Sequence, residues 1–149
     1  MVLTFKGGLH VHDGNELTKH VPVRVAPVPE LLTVPLTQHI GAPVKPLVKK
    51  KAEVRLGEPL GELTGFVSAL VHSPVSGVVK DVKTIPSPMG RKVEAVVIAN
   101  DGEDTRYDGV GEKTDPYGLS REELLDRVKN AGIVGLGGAT FPSHVKLSP

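Results

Sequence analysis

The sequence predicts a mainly β chain (α+β overall), with short strands closed into a small barrel or sandwich and one helix near the C-terminus. Three observations lead there. Valine-rich runs of about four to six residues recur with turn residues between them. Thirteen prolines and 17 glycines among 149 residues punctuate the chain too often for a helical bundle. Three Phe, two Tyr and no Trp leave the core to β-favouring Val and to Leu. Hydrophobic residues at 39% and charged residues at 23% suffice for a core and exclude wholesale disorder.

The same composition excludes several functions. The net charge is +1, no basic stripe is present and few aromatics could stack on bases, so nucleic-acid binding is not expected. The chain has no cysteine, which removes disulfides, thiolate catalysis and any iron–sulfur cluster held by these residues. No apolar run approaches the roughly 18 residues of a membrane span, and no basic-then-apolar leader opens the chain. A soluble protein on the cytoplasmic side is the expectation.

The elements follow in order. Residues 1–43 read as extended N-terminal strands packing on the barrel. Gly7-Gly8 and Asp13-Gly14 mark turns, "PVRVAPV" reads as a Pro-bearing edge strand, and "LLTVPL" reads as a second strand. Residues 44–100 carry the regular pattern, in "VKPLVKKKAEVRLGEPLGEL", "VHSPVSGVVKDVKTI" and "RKVEAVVIAN". "NDGED" ends that run in a turn, and residues 101–119 read as a polar linker. Residues 120–149 hold the helix. Ser120 and Glu123 make a capping box, Leu124, Leu125, Val128 and Ala131 share a face, and Gly132 follows the end.

Glycines then crowd "GIVGLGGATFP", at Gly132, Gly135, Gly137 and Gly138. They follow a helix, whereas a P-loop or a dinucleotide fingerprint follows a strand and opens a helix. The Lys-Ser/Thr ending of a P-loop is also missing. Such a cluster marks sharp turning or close approach of the backbone to something else.

Two resemblances extend this reading. "PLVKKKAEVRLGEPLGEL" and "VHSPVSGVVKDV" resemble the two halves of the biotinyl/lipoyl-type barrel-sandwich hybrid. Carriers of that type present a modified lysine at a hairpin tip, but the intervening "TGFVSAL" has none, so the scaffold is expected without the swinging arm. The tail "GIVGLGGATFPSHVKLSP" resembles the flavin loop of the NADH-oxidising subunit of respiratory complex I. It is closer still to the C component of the Rnf ion-translocating electron-transport complex. "TFKGGLH", "PLTQHIGAPVKPLVKK" and "GFVSALVHSPVSGVV" look like the N-terminal region of that component.

The resemblance implies the N-terminal part of a ferredoxin:NAD oxidoreductase subunit that carries FMN, uses NAD(H) and holds 4Fe–4S clusters on cysteines outside these residues. The start of a flavin/NADH-binding domain would then lie in 120–149. It also implies a peripheral place on the cytoplasmic side of the inner membrane, with the other subunits as partners and ferredoxin and NAD as redox partners. By the matched motif, Gly135, Gly137, Gly138 and Ala139 would bring backbone N–H groups to the cofactor. Phe141 would offer a ring face, and Lys146 a charge to phosphate. No residue here is expected to be catalytic. The chain is not expected to hold FMN tightly by itself, and its loop, so near the C-terminus, is expected to be mobile. Leu136 stands where the complex I motif has a basic residue. Thr140 replaces a commoner glycine, which removes a position free to take positive φ.

The remaining candidates have ordinary readings. His10 and His12 would share a strand face but lack a third ligand at a recognised spacing, so no metal site is expected. His39 and His72 are assigned to hydrogen bonding within the fold. Lys49, Lys50 and Lys51 read as a solvated turn. The alternatives to a cofactor-binding role are a non-catalytic docking module within the complex and, against the missing lysine, a carrier domain.

Overall fold

The computed structural model describes residues 14–88 and 90–148. His10, His12 and the Gly7-Gly8 turn lie outside them. Its framework is a long antiparallel hairpin of β5 (Gly77–Pro86) and β6 (Lys92–Asn100). The reversal between them is closed by the Ser87 N–H donating to the Arg91 carbonyl at 2.7 Å. On one side β6 pairs with β1 (Leu31–Pro35), and on the other β5 pairs with β3 (Glu53–Val54), giving the sheet order β1-β6-β5-β3. A second, two-stranded sheet joins β2 (Lys45–Pro46) to β4 (Gly61–Glu62).

Strand lengths divide more sharply than the sequence suggests. The hairpin strands run 10 and 9 residues, while β2, β3 and β4 are two residues each. Pro43, Pro46 and Pro59 remove ladder donors in the short-strand region, and Gly57 and Lys51 adopt φ of 85° and 74°, which bends the chain out of the sheet. "PVRVAPV" forms no strand: residues 21–29 lie outside any sheet, with Val23 and Val25 at 99% and 97% exposure. Along an extended segment, Pro22 blocks one edge and Pro27 and Pro29 the other, so neither edge offers a continuous row of donors. Pairing starts after the last of these prolines, at β1, as "LLTVPL" suggested.

The core lies between the two sheets. Val34, Leu36, Val44, Val54, Leu60, Val71, Val75, Val79, Val96 and Ile98 form one buried cluster. It draws on both sides of residue 44, because β1 lies beside β6 in the same sheet. A bulge makes the register possible. Val79 is opposite Ile98, Asp81 is opposite Val97, and Lys80 is the extra residue. Val79 and Val82 are three apart, so in a regular strand they would face opposite ways; the bulge turns both toward the core.

The expected polar linker is tied down in its first half. Leu56 donates to the Thr105 carbonyl at 2.9 Å, and Tyr107 donates back to Leu56 at 2.9 Å. Ser76 Oγ donates to Asp101 at 2.6 Å and accepts from the Thr105 N–H at 3.0 Å. The Ser76 bond, with one from the Glu103 N–H, holds the Asp101 carboxyl below the usual carboxylate range. Lys49 and Lys50 are exposed in a turn, as expected.

Candidate functional site

Helix α1 (Arg121–Asn130) begins at the capping box the sequence announced. Ser120 Oγ accepts from the Glu123 N–H at 3.2 Å, and the Glu123 carboxylate accepts from the Ser120 N–H at 2.8 Å. Those bonds hold the Glu123 carboxyl below its ordinary range. The apolar face is narrower than expected. Leu125 and Val128 are half-buried, whereas Leu124 and Ala131 are exposed.

The helix ends in a Schellman motif. Gly132 donates to the Lys129 carbonyl at 3.0 Å and Ile133 to the Val128 carbonyl at 3.4 Å, with Gly132 at φ 65°. The left-handed turn sets Gly132 against the barrel, where an added Cβ would lie 2.3 Å from the Leu70 carbonyl oxygen. Conformation and space both demand glycine here.

Beyond it the chain makes a closed loop. Val134 bridges Pro142, Gly135 donates to the Phe141 carbonyl at 3.0 Å, and Ser143 donates to the Ile133 carbonyl at 2.9 Å. A second helix, α2 (Ser143–Lys146), follows at once; its 4 residues are too few for a periodic pattern to announce it. Among the described residues, the N–H groups from Leu136 to Thr140 make no hydrogen bond of ordinary geometry. Lys146 Nζ lies 5.9 Å from the Phe141 ring centre and 3.1 Å from where a Gly135 Cβ would stand. No carboxylate pairs with it among the described residues. The loop therefore sets turn N–H groups that lack a hydrogen bond of ordinary geometry beside an uncompensated cation, a combination suited to an anion.

Gly135, Phe141 and Lys146 are thus brought together at the neck of the loop. Gly137, Gly138 and Ala139 form its exposed tip with Leu136. Gly137 and Gly138 have neither positive φ nor any atom within 4 Å of an added Cβ, so nothing within the described fold requires glycine there. Thr140 corrects an expectation. Although it is not glycine, it takes φ 51°, unusual for a β-branched residue. Its carbonyl accepts from the Ile40 N–H at 3.4 Å.

The histidines divide. His39 is buried, its Nε2 within hydrogen-bonding distance of the Ala42 carbonyl (3.1 Å) and Ser68 Oγ (3.3 Å). His72 packs beside Gly132, and burial holds its imidazole below the ordinary value, the nearby Asn130 backbone working the other way. His144 on α2 is only 6% exposed, and its Nε2 has no partner among the described residues. Sequence reasoning missed His144 and Leu70. Burial of one and close approach by the other arise from contacts distant in sequence, which leave no local signal. Among the described residues no group of three or more His, Asp or Glu could hold a metal ion, and no helix is long and apolar enough to cross a membrane.

The family model described as the RnfC barrel sandwich hybrid domain matches residues 3–103. The chain is 42% identical over 149 residues to the C component of the proton-translocating ferredoxin:NAD(+) oxidoreductase complex of Clostridium ljungdahlii, covering 100% of this chain and 33% of that relative. It is 47% identical to the Na(+)-translocating counterpart of Acetobacterium woodii, covering 97% and 33%. It is 38% identical to the C component of an ion-translocating oxidoreductase complex of Rhodobacter capsulatus, covering 97% and 28%. The chain spans about a third of the length of the curated relatives it matches.

Proposed function

The chain belongs to the RnfC barrel sandwich hybrid domain family, and from that premise we propose that it acts as the N-terminal part of the NAD-linked subunit of an ion-translocating ferredoxin:NAD oxidoreductase. In this reading the loop from Gly135 to Phe141 receives the phosphate of FMN or of a nicotinamide cofactor. The observation that carries it is the turn from Leu136 to Ala139, whose N–H groups make no hydrogen bond of ordinary geometry, beside the uncompensated Lys146. Gly137 and Gly138, which no contact in the fold requires, leave the tip open to close approach by a ligand. Phe141 gives an apolar face beside that charge.

FMN, when bound, supplies the exchange between two-electron and one-electron transfer. The residues of this chain bind and orient: N–H groups and Lys146 hold the anionic end, and the closed neck fixes where it sits. With no cysteine in the chain, 4Fe–4S clusters would be held on other residues. The relatives are named as subunits of ion-translocating complexes, and in this reading the chain sits peripherally on the cytoplasmic side of the membrane.

NMR titration with FMN tests this. The amide signals of Leu136 to Thr140 should shift on addition of the cofactor, saturating weakly, on the order of millimolar. Gly137→Val should abolish the shifts and leave the core signals of Val96 and Ile98 in place. Shifts confined to the barrel, with the loop silent, would favour the docking-module role and sink this reading.

A further inference from the structure

Two segments of the barrel bring lysines to one corner. Lys49, Lys50 and Lys51 fill a turn closed by the Ala52 N–H, which donates to the Lys49 carbonyl at 3.0 Å. The turn then docks on β5: Lys51 donates to the Val79 carbonyl at 2.7 Å, and Val79 donates back to Ala52 at 2.8 Å. The next residue on β5 is Lys80, the extra residue of the bulge. All four lysines are exposed. None forms an ion pair among the described residues, although Glu53 and Asp81 lie close by in the chain. The Asp81 carboxylate instead accepts from the neighbouring Val82 N–H at 3.1 Å.

Lys51 departs from local rules. Lys51 and Ala52 together oppose the single Val79, a bulge whose first member ordinarily is a glycine at positive φ. Lys51 takes φ 74° in that place and adds a like charge beside Lys80. Its side chain gains no partner among the described residues that would offset either feature, so what favours lysine lies outside the fold. We propose that Lys49, Lys50, Lys51 and Lys80 form a docking surface for an anionic lipid membrane. Their chemistry suits lipid better than protein. Lysine ammoniums are compact charges on flexible stems, without the planar fork of arginine. The cores of protein interfaces are poor in lysine and rich in aromatic anchors, and the turn carries no aromatic residue. An exposed turn of flexible cations matches the diffuse negative potential of a leaflet. This surface deepens the peripheral placement proposed above and rests on that reading for its setting, whereas the glycine loop has no part in it.

Co-sedimentation of the full chain with vesicles tests the surface. Phosphatidylcholine vesicles containing phosphatidylglycerol should carry the chain down at low salt and release it as salt rises, and pure phosphatidylcholine should leave it in solution. Lys50→Gln should weaken the partitioning about fivefold, the worth of one lysine near an anionic surface. Lys113→Gln, the same change of charge in an exposed segment beyond the barrel, should leave it nearly unchanged. Lys51→Gly separates side chain from backbone: it relieves the positive φ, so the urea midpoint should rise while vesicle binding falls. Equal binding to both kinds of vesicle, equal losses in Lys50→Gln and Lys113→Gln, or wild-type binding by Lys51→Gly would overturn the proposal. Indifference to anionic vesicles, with amide shifts at Lys49 to Lys51 on adding polyglutamate, would overturn it too and assign the surface to an acidic protein. The FMN titration reads only the loop. A silent loop with intact vesicle binding removes the cofactor assignment and leaves the lysine surface standing; the reverse result removes the surface alone.

Discussion

Gly132 meets the barrel at the Leu70 carbonyl, 2.3 Å from where a Cβ would be, and its φ of 65° is already costly for any residue with a side chain. Gly132→Ala should therefore lose more than the roughly 1–2 kcal/mol of a left-handed residue alone, in total on the order of 2–4 kcal/mol once the clash displaces backbone. Urea unfolding checks this. A loss below about 0.5 kcal/mol would mean that the seam yields without resistance.

Ser120→Ala removes one half of a reciprocal cap and should cost about 1 kcal/mol. Helix α1 has no buried residue, so the loss should appear as local opening. Amide exchange should quicken through Glu123 and Leu124 while β6 amides remain protected. Equal acceleration in both places would show that helix and barrel unfold as one unit.

Leu36 is fully buried in the core although it precedes the regular strand pattern. Leu36→Ala should cost about 2–5 kcal/mol. For the same reason a piece spanning residues 44–99, without β1, should melt below one spanning 31–108. Thermal circular dichroism of the two pieces compares them directly, and matching midpoints would make β1 dispensable.

The depressed pKa of His72 ties stability to pH with a definite sign. Above about pH 6.5 the imidazole is neutral in both folded and unfolded chains and contributes nothing. As pH falls through that value the unfolded chain gains a proton that the folded chain resists, so stability declines. His39 is the other titratable group lining the cavity that His72 borders. Asp101 and Glu123, both depressed, stabilise above about pH 4 and lose that contribution only lower down. Between about pH 7 and pH 5.5 the wild type should lose stability more steeply than His72→Gln, as urea midpoints at each pH would show. Parallel curves for the two proteins would remove His72 from the account.

Local chemistry alone determined much of this protein. The capping box of Ser120 and Glu123, the helix stop at Gly132, the turn in residues 100–104 and the Val-rich hairpin strands each depend on residues close in sequence, where propensity and hydrogen bonding act directly. Motif resemblance extended that reading to the barrel-sandwich fold and to the place of the glycine loop. Tertiary structure decided the rest. Periodicity cannot show that neither edge of residues 22–28 finds a partner, that a bulge at Lys80 returns Val82 to the core, or that the expected linker is bonded to Leu56. Nor can it separate Gly132, required by φ and by Leu70, from Gly137 and Gly138, which no neighbour constrains. The difference is that a side chain's fate depends on what folds against it from distant parts of the chain, and the ends of the glycine loop meet Leu70 and Ile40, about 60 to 100 residues upstream.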